Sequence, residues 1–227
     1  MTYHVDFDID LRRNPYKGIY IAIEGIDGCG KTTQVERLRE SLENLGKKTI
    51  LVKEPGREGT VGELIDKILQ GIVKVSPEVF QYLCSAERVL LHETKIIPSL
   101  KSGKFVISDR VFWSAVAYGI FDRTGLDYQK DEGEILLVSQ GILSMYHGFI
   151  APDYTFFLDV SVETAMKRLS KLDREKEIYE KKEKLEKIAL GYKWLVEKFP
   201  KEIVIMDGEQ PVEEITKEII SHVSSIR

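Results

Sequence analysis

The stretch IAIEGIDGCGKTTQ, Ile21 to Gln34, opens on an apolar run and then sets glycines at 25, 28 and 30 directly ahead of Lys31-Thr32-Thr33. The residues Gly25-Ile26-Asp27-Gly28-Cys29-Gly30-Lys31-Thr32 satisfy G-x-x-x-x-G-K-[ST] at every position. The context also fits, with a strand pattern before the loop and an amphipathic helix pattern after it. Glycines give the backbone conformations that other residues resist, so successive N–H groups can turn inward on an anion. A helix beginning near Lys31 would add its positive end. Such a loop cradles the phosphates of ATP through residues 25 to 33, with Lys31 on the β- and γ-phosphates and the Thr32 hydroxyl on Mg²⁺.

Outward from this loop, apolar runs alternate with helical patterns. Ile19 to Gly25, Lys48 to Glu54, Lys104 to Arg110, Tyr154 to Val160 and Glu202 to Gly208 read as buried strands, rich in Ile, Val and Phe. Val35, Leu38, Leu42 and Leu45 share one helical face, and Gly46 ends it. Val79, Leu83, Ala86 and Leu90 predict the buried face of a long helix that Pro98 kinks or ends. Ile178, Leu185, Ile188, Tyr192 and Leu195 mark a further helix. Val212, Ile215, Ile219, Val223 and Ile226 mark the last, opened by Pro211. This alternation predicts an α/β fold, a parallel sheet with helices on both faces. Its ligands should lie beyond the carboxyl ends of the strands.

The chain has 227 residues and a formal net charge of −4. One domain accommodates that length, with residues 1–17 read as a polar N-terminal extension and 18–227 as the domain. A mildly acidic chain disfavours nucleic-acid and membrane-surface binding. The two cysteines, Cys29 and Cys84, have no metal spacing and point to reduced thiols and a cytoplasmic protein. Neither a membrane span nor a signal peptide is expected.

The polar residues cluster where the strands should end. Asp27 is a carboxylate at the mouth of the phosphate cradle, where a sugar hydroxyl of a second substrate could reach it; a turn-capping role is its alternative. Asp109 follows an apolar strand and can hold Mg²⁺, with Arg110 beside it to neutralise a phosphate. Arg88 stands on a helix, and Arg168 and Arg174 flank the start of a charged segment suited to a lid over ATP, at about 169–182. A guanine-reading Asn-Lys-x-Asp is absent, and so is any Ser–His–Asp or Cys–His arrangement.

Taken together, these segments resemble thymidylate kinases, P-loop nucleoside monophosphate kinases, over nearly the whole chain from Tyr20. The carrying motifs are IEGIDGCGKTTQ, KEPGREGTVGE, SAERVLLH, SDRVFWSAVAY, APDYTFFLDVSVETAMKR and LDREKEIYE, in the family's order. The resemblance implies a three-layer P-loop NTPase fold with a five-stranded parallel sheet and a short lid. It implies transfer of the ATP γ-phosphoryl group to dTMP, with Mg²⁺ near Thr32 and Asp109, and a homodimer. Arg88 and Arg110 would hold the acceptor phosphate, Asp27 the sugar hydroxyl, and Lys53, Arg57, Cys84 and Tyr118 would complete the acceptor site. Lys31, Asp109, Arg110, Arg168 and Arg174 would carry catalysis.

This chain departs from the family at its base pocket. Lys53 replaces an arginine, with Arg57 just beyond. Cys84 stands where the family has a stacking Phe, Val111 where it has Tyr, and Gly119 where a Gln is common. Another pyrimidine monophosphate as acceptor, or a P-loop ATPase without kinase activity, are the competing readings. The second arginine set would be superfluous to a plain ATP binder.

Overall fold

The computed structural model describes residues 8–124, 132–173 and 177–224. All five expected strands form: β1 (Ile19–Glu24), β2 (Thr49–Lys53), β3 (Phe105–Asp109), β4 (Tyr154–Asp159) and β5 (Val204–Asp207). They make one parallel sheet in the order β2-β3-β1-β4-β5. The central β1 is apolar and buried from Tyr20 to Ile23 because both of its faces are covered.

Helix α1 (Lys31–Asn44) buries Val35, Leu38 and Leu42 and packs with α9 (Val212–Ser224). Gly46 ends α1 at φ +75°, a conformation that favours glycine, while Leu45 is left exposed. Pro211 precedes α9 and accepts its first helical bonds; Ile226 lies outside the described residues. Helix α5 (Phe112–Thr124) packs against α8 (Lys182–Lys198), which buries Leu185, Ile188, Tyr192 and Leu195. Ile178 precedes α8 rather than joining its stripe. Helices α2 (Gly59–Leu69), α4 (Ile97–Lys101), α6 (Glu132–Leu143) and α7 (Val162–Leu169) complete the described set with α3.

Helix α3 (Pro77–Leu91) corrects the sequence-based face. Val79 and Leu90 are exposed, and the buried side carries Gln81, Cys84, Ser85, Glu87, Arg88 and Leu91. The apolar periodicity is real but looks outward, because the inward side lines a polar site. Toward Pro98 the helix changes character: α3 gives way to a π-helical turn, His92–Ile96, and then to the short α4, with Pro98 in its first turn.

Two segments beyond the core repeat are anchored to it. Arg12 bridges to Ile150, and Arg13 pairs with Glu202, so the described part of the N-terminal extension lies against the domain. The connection from Phe121 to Phe149, partly outside the described residues, contains α6 and a 3₁₀ turn at Ser144–Tyr146.

Strand register sets the level of the site. Lys53 pairs with Asp109 across β2 and β3, and Ile23 pairs with Asp109 across β1 and β3. The residues that follow, Glu54, Arg110 and Glu24-Gly25, therefore emerge side by side at the carboxyl edge of the sheet. The chain leaves β1 for β2 on one flank and later adds β4 on the other, which opens a crevice at that edge.

Candidate active site

The loop after β1 takes left-handed backbone at Gly25, Gly28 and Gly30, with φ of +144°, +83° and +106°. A Cβ on Gly28 would come within 2.5 Å of the Ala165 carbonyl oxygen, so both the turn and the packing require glycine there. Helix α1 starts at Gly30 with no side-chain cap and no acidic residue in its first turn. Its first N–H groups thus remain free for an anion. Lys31, almost fully buried, folds its ammonium back on the Gly25 and Ile26 carbonyls at 3.1 and 2.9 Å. The Thr32 hydroxyl donates to Asp109 Oδ2 at 2.8 Å. Asp109 Oδ1 is buried with no hydrogen-bond partner among the described residues. These two oxygen-bearing side chains suit a hard cation such as Mg²⁺. Among the described residues no group of three or more His, Cys, Asp or Glu could hold a metal unaided.

Arg110 is the hub. It sits at φ +77°, unusual for a residue with a side chain, while its N–H donates to the Ile23 carbonyl at 3.0 Å. One guanidinium nitrogen reaches Gly25 O, Ser114 Oγ and Tyr192 OH at 3.0 to 3.1 Å. The other reaches Asp27 Oδ1 at 2.5 Å and Tyr118 OH at 3.0 Å. Tyr118 also donates to Asp27 Oδ2 at 3.0 Å. Burial by itself would raise the Asp27 carboxyl; Arg110, then Lys31 and the Tyr118 hydroxyl, overcome it and bring it to about 2. Glu24, fully buried, holds the turn after β3 by accepting from Val111 N, Ser114 N, Ser114 Oγ and Tyr192 OH at 2.6 to 3.1 Å.

Arg88 is buried too. Its Nε donates to Glu54 Oε2 at 3.1 Å, one nitrogen reaches Tyr146 OH at 3.3 Å, and another the Val111 carbonyl at 3.5 Å. Tyr20 donates to the other Glu54 oxygen at 2.5 Å. Burial pushes the Glu54 carboxyl up to about 7, against the pull of Arg88 and Tyr20. Tyr146 reaches Arg88 from the long connection after α5, and Gln81 donates to it at 3.1 Å. Arg57 splits its guanidinium between Asp66 at 2.8 Å and Glu177 at 2.8 and 3.0 Å.

Two cavities meet above this framework. One, of about 80 Å³, is lined by Phe80, Cys84, Arg88, Tyr118, Asp122 and Tyr179 among others. The second, about 440 Å³, follows the glycine loop past Lys31, Thr32, Arg168 and Lys171. Asp27, Lys53, Arg57, Arg110 and Glu177 line both. Arg168 spans the loop and the turn after β5, donating to Cys29 O at 2.8 Å and Gly208 O at 3.0 Å. Arg174 lies outside the described residues. Every other candidate site residue stands at one of these cavities or in the glycine loop beneath them, but Val111 and Gly119 line neither cavity: Val111 is buried in the core and Gly119 packs against Ile142.

Sequence reasoning passed over Glu24, Glu54, Tyr146, Glu177 and Tyr179. Only Tyr179 carried a local signal, since Ile178-Tyr179 interrupts an otherwise charged run.

Residues 23–219 match the family model described as thymidylate kinase. The thymidylate kinase of Thermoanaerobacter sp. (strain X514) is 37% identical over 206 residues, 90% of this chain and 96% of that one. The probable thymidylate kinase of Thermococcus gammatolerans is 33% identical over 211 residues, 89% of this chain and 94% of that one. Among solved structures, thymidylate kinase from Candida albicans superposes with a TM-score of 0.77 at 27% identity, covering 92% of each chain.

Proposed function

The chain belongs to the thymidylate kinase family, and from that premise we infer how its own residues carry out the transfer of the ATP γ-phosphoryl group to dTMP, giving dTDP and ADP. The observation that carries this reading is the meeting of two cavities over one set of cations, Lys53, Arg57 and Arg110. A plain ATPase has no use for the first cavity.

ATP lays its phosphates along the second cavity, on the N–H groups of residues 25 to 33. Lys31 exchanges its two carbonyl contacts for β- and γ-phosphate oxygens. Thr32 and Asp109 would hold Mg²⁺, which would supply charge neutralisation there. dTMP enters the first cavity with its phosphate toward the shared cations. An acceptor phosphate oxygen then lies in line with the γ-phosphorus and the leaving β-oxygen. The chemistry is positioning and charge neutralisation, with no covalent intermediate on the protein.

Arg110 faces the transferring group, oriented by Asp27, Ser114 and Tyr192 and, through the latter two, by Glu24. Asp27 has accepting capacity left for the deoxyribose hydroxyl. Arg88 we assign to the base end rather than to the phosphate. It lines only the first cavity, whose wall also includes Phe80, Cys84 and Tyr118. A base carbonyl would take a donor from its outer edge. The small Cys84 and the aromatic Phe80 and Tyr118 define a pocket for a pyrimidine, with dUMP as a weaker second acceptor and purines excluded by size. Arg168, fixed to two carbonyls beside the loop, serves ATP binding; Arg174 remains the candidate for the catalytic arginine.

The decisive experiment is a coupled assay of ADP formation against a panel of nucleoside monophosphates. Strong dependence on dTMP supports the reading. Equal ADP release with and without acceptor supports the plain ATPase, and a preference for a purine or cytidine monophosphate removes the thymidylate assignment while leaving the kinase.

We also propose a homodimer. The outward stripe of α3, with Val79, Tyr82 and Leu90 exposed, and Leu137 on α6 offer apolar surface for a second copy. Sedimentation equilibrium tests it. Among the described residues no helix is long and apolar enough to cross a membrane, and we place the enzyme in the cytoplasm without a nucleic-acid partner.

A further inference from the structure

The first cavity measures about 80 Å³, room for a few waters, yet the acceptor assignment above requires it to take a nucleoside monophosphate. Something that lines it must move. Helices α3 and α5 bury apolar side chains in the core and are poor candidates. The segment Glu177–Glu180 belongs to no helix or strand, and it is held over the cavity by polar contacts together with Tyr179, whose ring joins the core. Glu177 accepts two bonds from the Arg57 guanidinium, at 2.8 and 3.0 Å. The Ile178 N–H donates to the Leu69 carbonyl at 3.0 Å. Tyr179 donates its hydroxyl to Asp122. The Tyr179 ring is 5% exposed, edge-on to Tyr118 at 5.0 Å and tilted to Phe80 at 6.4 Å. It lines the same cavity as the small Cys84.

Glu177 is also in a telling place. It lines both cavities, among the cations Lys53, Arg57 and Arg110. Arg57 already has Asp66 at 2.8 Å as a partner, so Glu177 gives that guanidinium a second carboxylate. A phosphate monoester carries up to two charges and three terminal oxygens. It is a stronger ligand for a guanidinium than a single carboxylate is.

We propose that Glu177 is an internal stand-in for the acceptor phosphate, and that dTMP opens its own cavity by displacing Glu177 from Arg57 and withdrawing Tyr179. The proposal rests on the acceptor reading and adds a control to it. Arg57 stays neutralised until an acceptor arrives, so attack of water on bound ATP, giving ADP and inorganic phosphate, is held back. Once the phosphate replaces the carboxylate, like charges drive Glu177 off, and the released ring leaves room for the base.

Glu177→Gln keeps the shape and removes the charge. Its KM for dTMP should fall roughly three- to tenfold, the dissociation constant of dTMP alone by calorimetry should fall in parallel, and ATP hydrolysis without acceptor should rise. In the wild-type protein, adding dTMP should speed hydrogen exchange at the Ile178 amide. In an Arg57→Met background, Glu177→Gln should bring no further gain in dTMP binding. Unchanged or weaker dTMP binding by folded Glu177→Gln overturns the proposal, and so does slower exchange at Ile178 on adding dTMP to the wild type. A gain that survives Arg57→Met overturns it as well. A wild-type protein that neither binds nor phosphorylates dTMP defeats the acceptor reading itself; dTMP turnover with an inert Glu177 defeats only this inference.

Discussion

Arg110 donates to the Asp27 carboxylate at 2.5 Å, tying the turn after β3 to the glycine loop across 83 residues of sequence. Asp27→Asn keeps the shape and discards the charge that orients the guanidinium. We expect kcat/KM for dTMP to fall by about 10–10², with the KM for ATP nearly unchanged. The pair also leaves an acid signature. The Asp27 carboxyl is lowered from 3.8 to about 2, so its stabilisation is present above its unfolded value and is lost as pH falls through 2. Thermal melts between those pH values should slope less steeply for Asp27→Asn than for wild type.

Lys31→Ala removes the ammonium that rests on Gly25 and Ile26. The side chain points into the ligand site, so the fold should survive. Turnover should fall by about 10²–10³ or more. A folded variant with near-normal kcat would contradict the phosphate cradle.

The two arginines flanking the charged segment should behave differently. Arg168 is pinned to Cys29 and Gly208. Arg168→Ala should chiefly raise the KM for ATP and lower stability by about 1–3 kcal/mol, since charged hydrogen bonds are lost. Arg174→Ala should lower kcat with little effect on ATP binding, as expected of a contact made mainly in the transition state. Steady-state kinetics on both variants separates the cases, and equal effects on kcat would undo the distinction.

Restoring the family's ring at Cys84 is expected to fail. On sequence grounds Cys84→Phe would tighten dTMP binding if the pocket had room. The cavity beside Cys84 is about 80 Å³ and Tyr179 lines it. The added ring should therefore overpack the site, costing about 1–3 kcal/mol of stability and weakening dTMP. Chemical denaturation and the KM for dTMP check both. Cys84→Phe with Tyr179→Ala should recover part of the loss.

Glu54 sets a pH dependence on the neutral side. Burial raises its carboxyl from 4.5 to about 7, with Tyr20, Arg88 and Glu87 as its facing groups. A raised folded value gives stabilisation that is full below the unfolded value and lost as pH rises through the folded one. The contribution of Glu54 should thus decline between about 4.5 and 7, against the opposite contribution of His92, which burial lowers from 6.5 to about 4. Glu54→Gln, though less stable throughout for want of a partner to Arg88, should lose the declining part, so that its stability rises with pH relative to wild type over that window in thermal melts.

The chain's local chemistry alone determined the five strands, the glycine loop and the end of α1 at Gly46. Each follows from neighbours in sequence: continuous β-branched runs, a fixed spacing of glycines and a lysine, a residue that tolerates positive φ. Arg110 and Asp27 were legible as site residues for the same reason, since they end or follow strands whose carboxyl edge had to carry the ligand. Tertiary structure decided the rest. The apolar periodicity of α3 could not say which face is buried, because a helix that lines a polar cavity inverts the usual rule. Glu24, Glu54, Tyr146 and Glu177 act on residues 34 to 168 positions away, Glu54 on Arg88 and Tyr20, Glu24 on Tyr192, Glu177 on Arg57, and no local pattern encodes such a pairing. The room left for a base beside Cys84 depends on where the Tyr179 ring comes to rest. That is a question of packing between distant segments, which residue spacing does not answer.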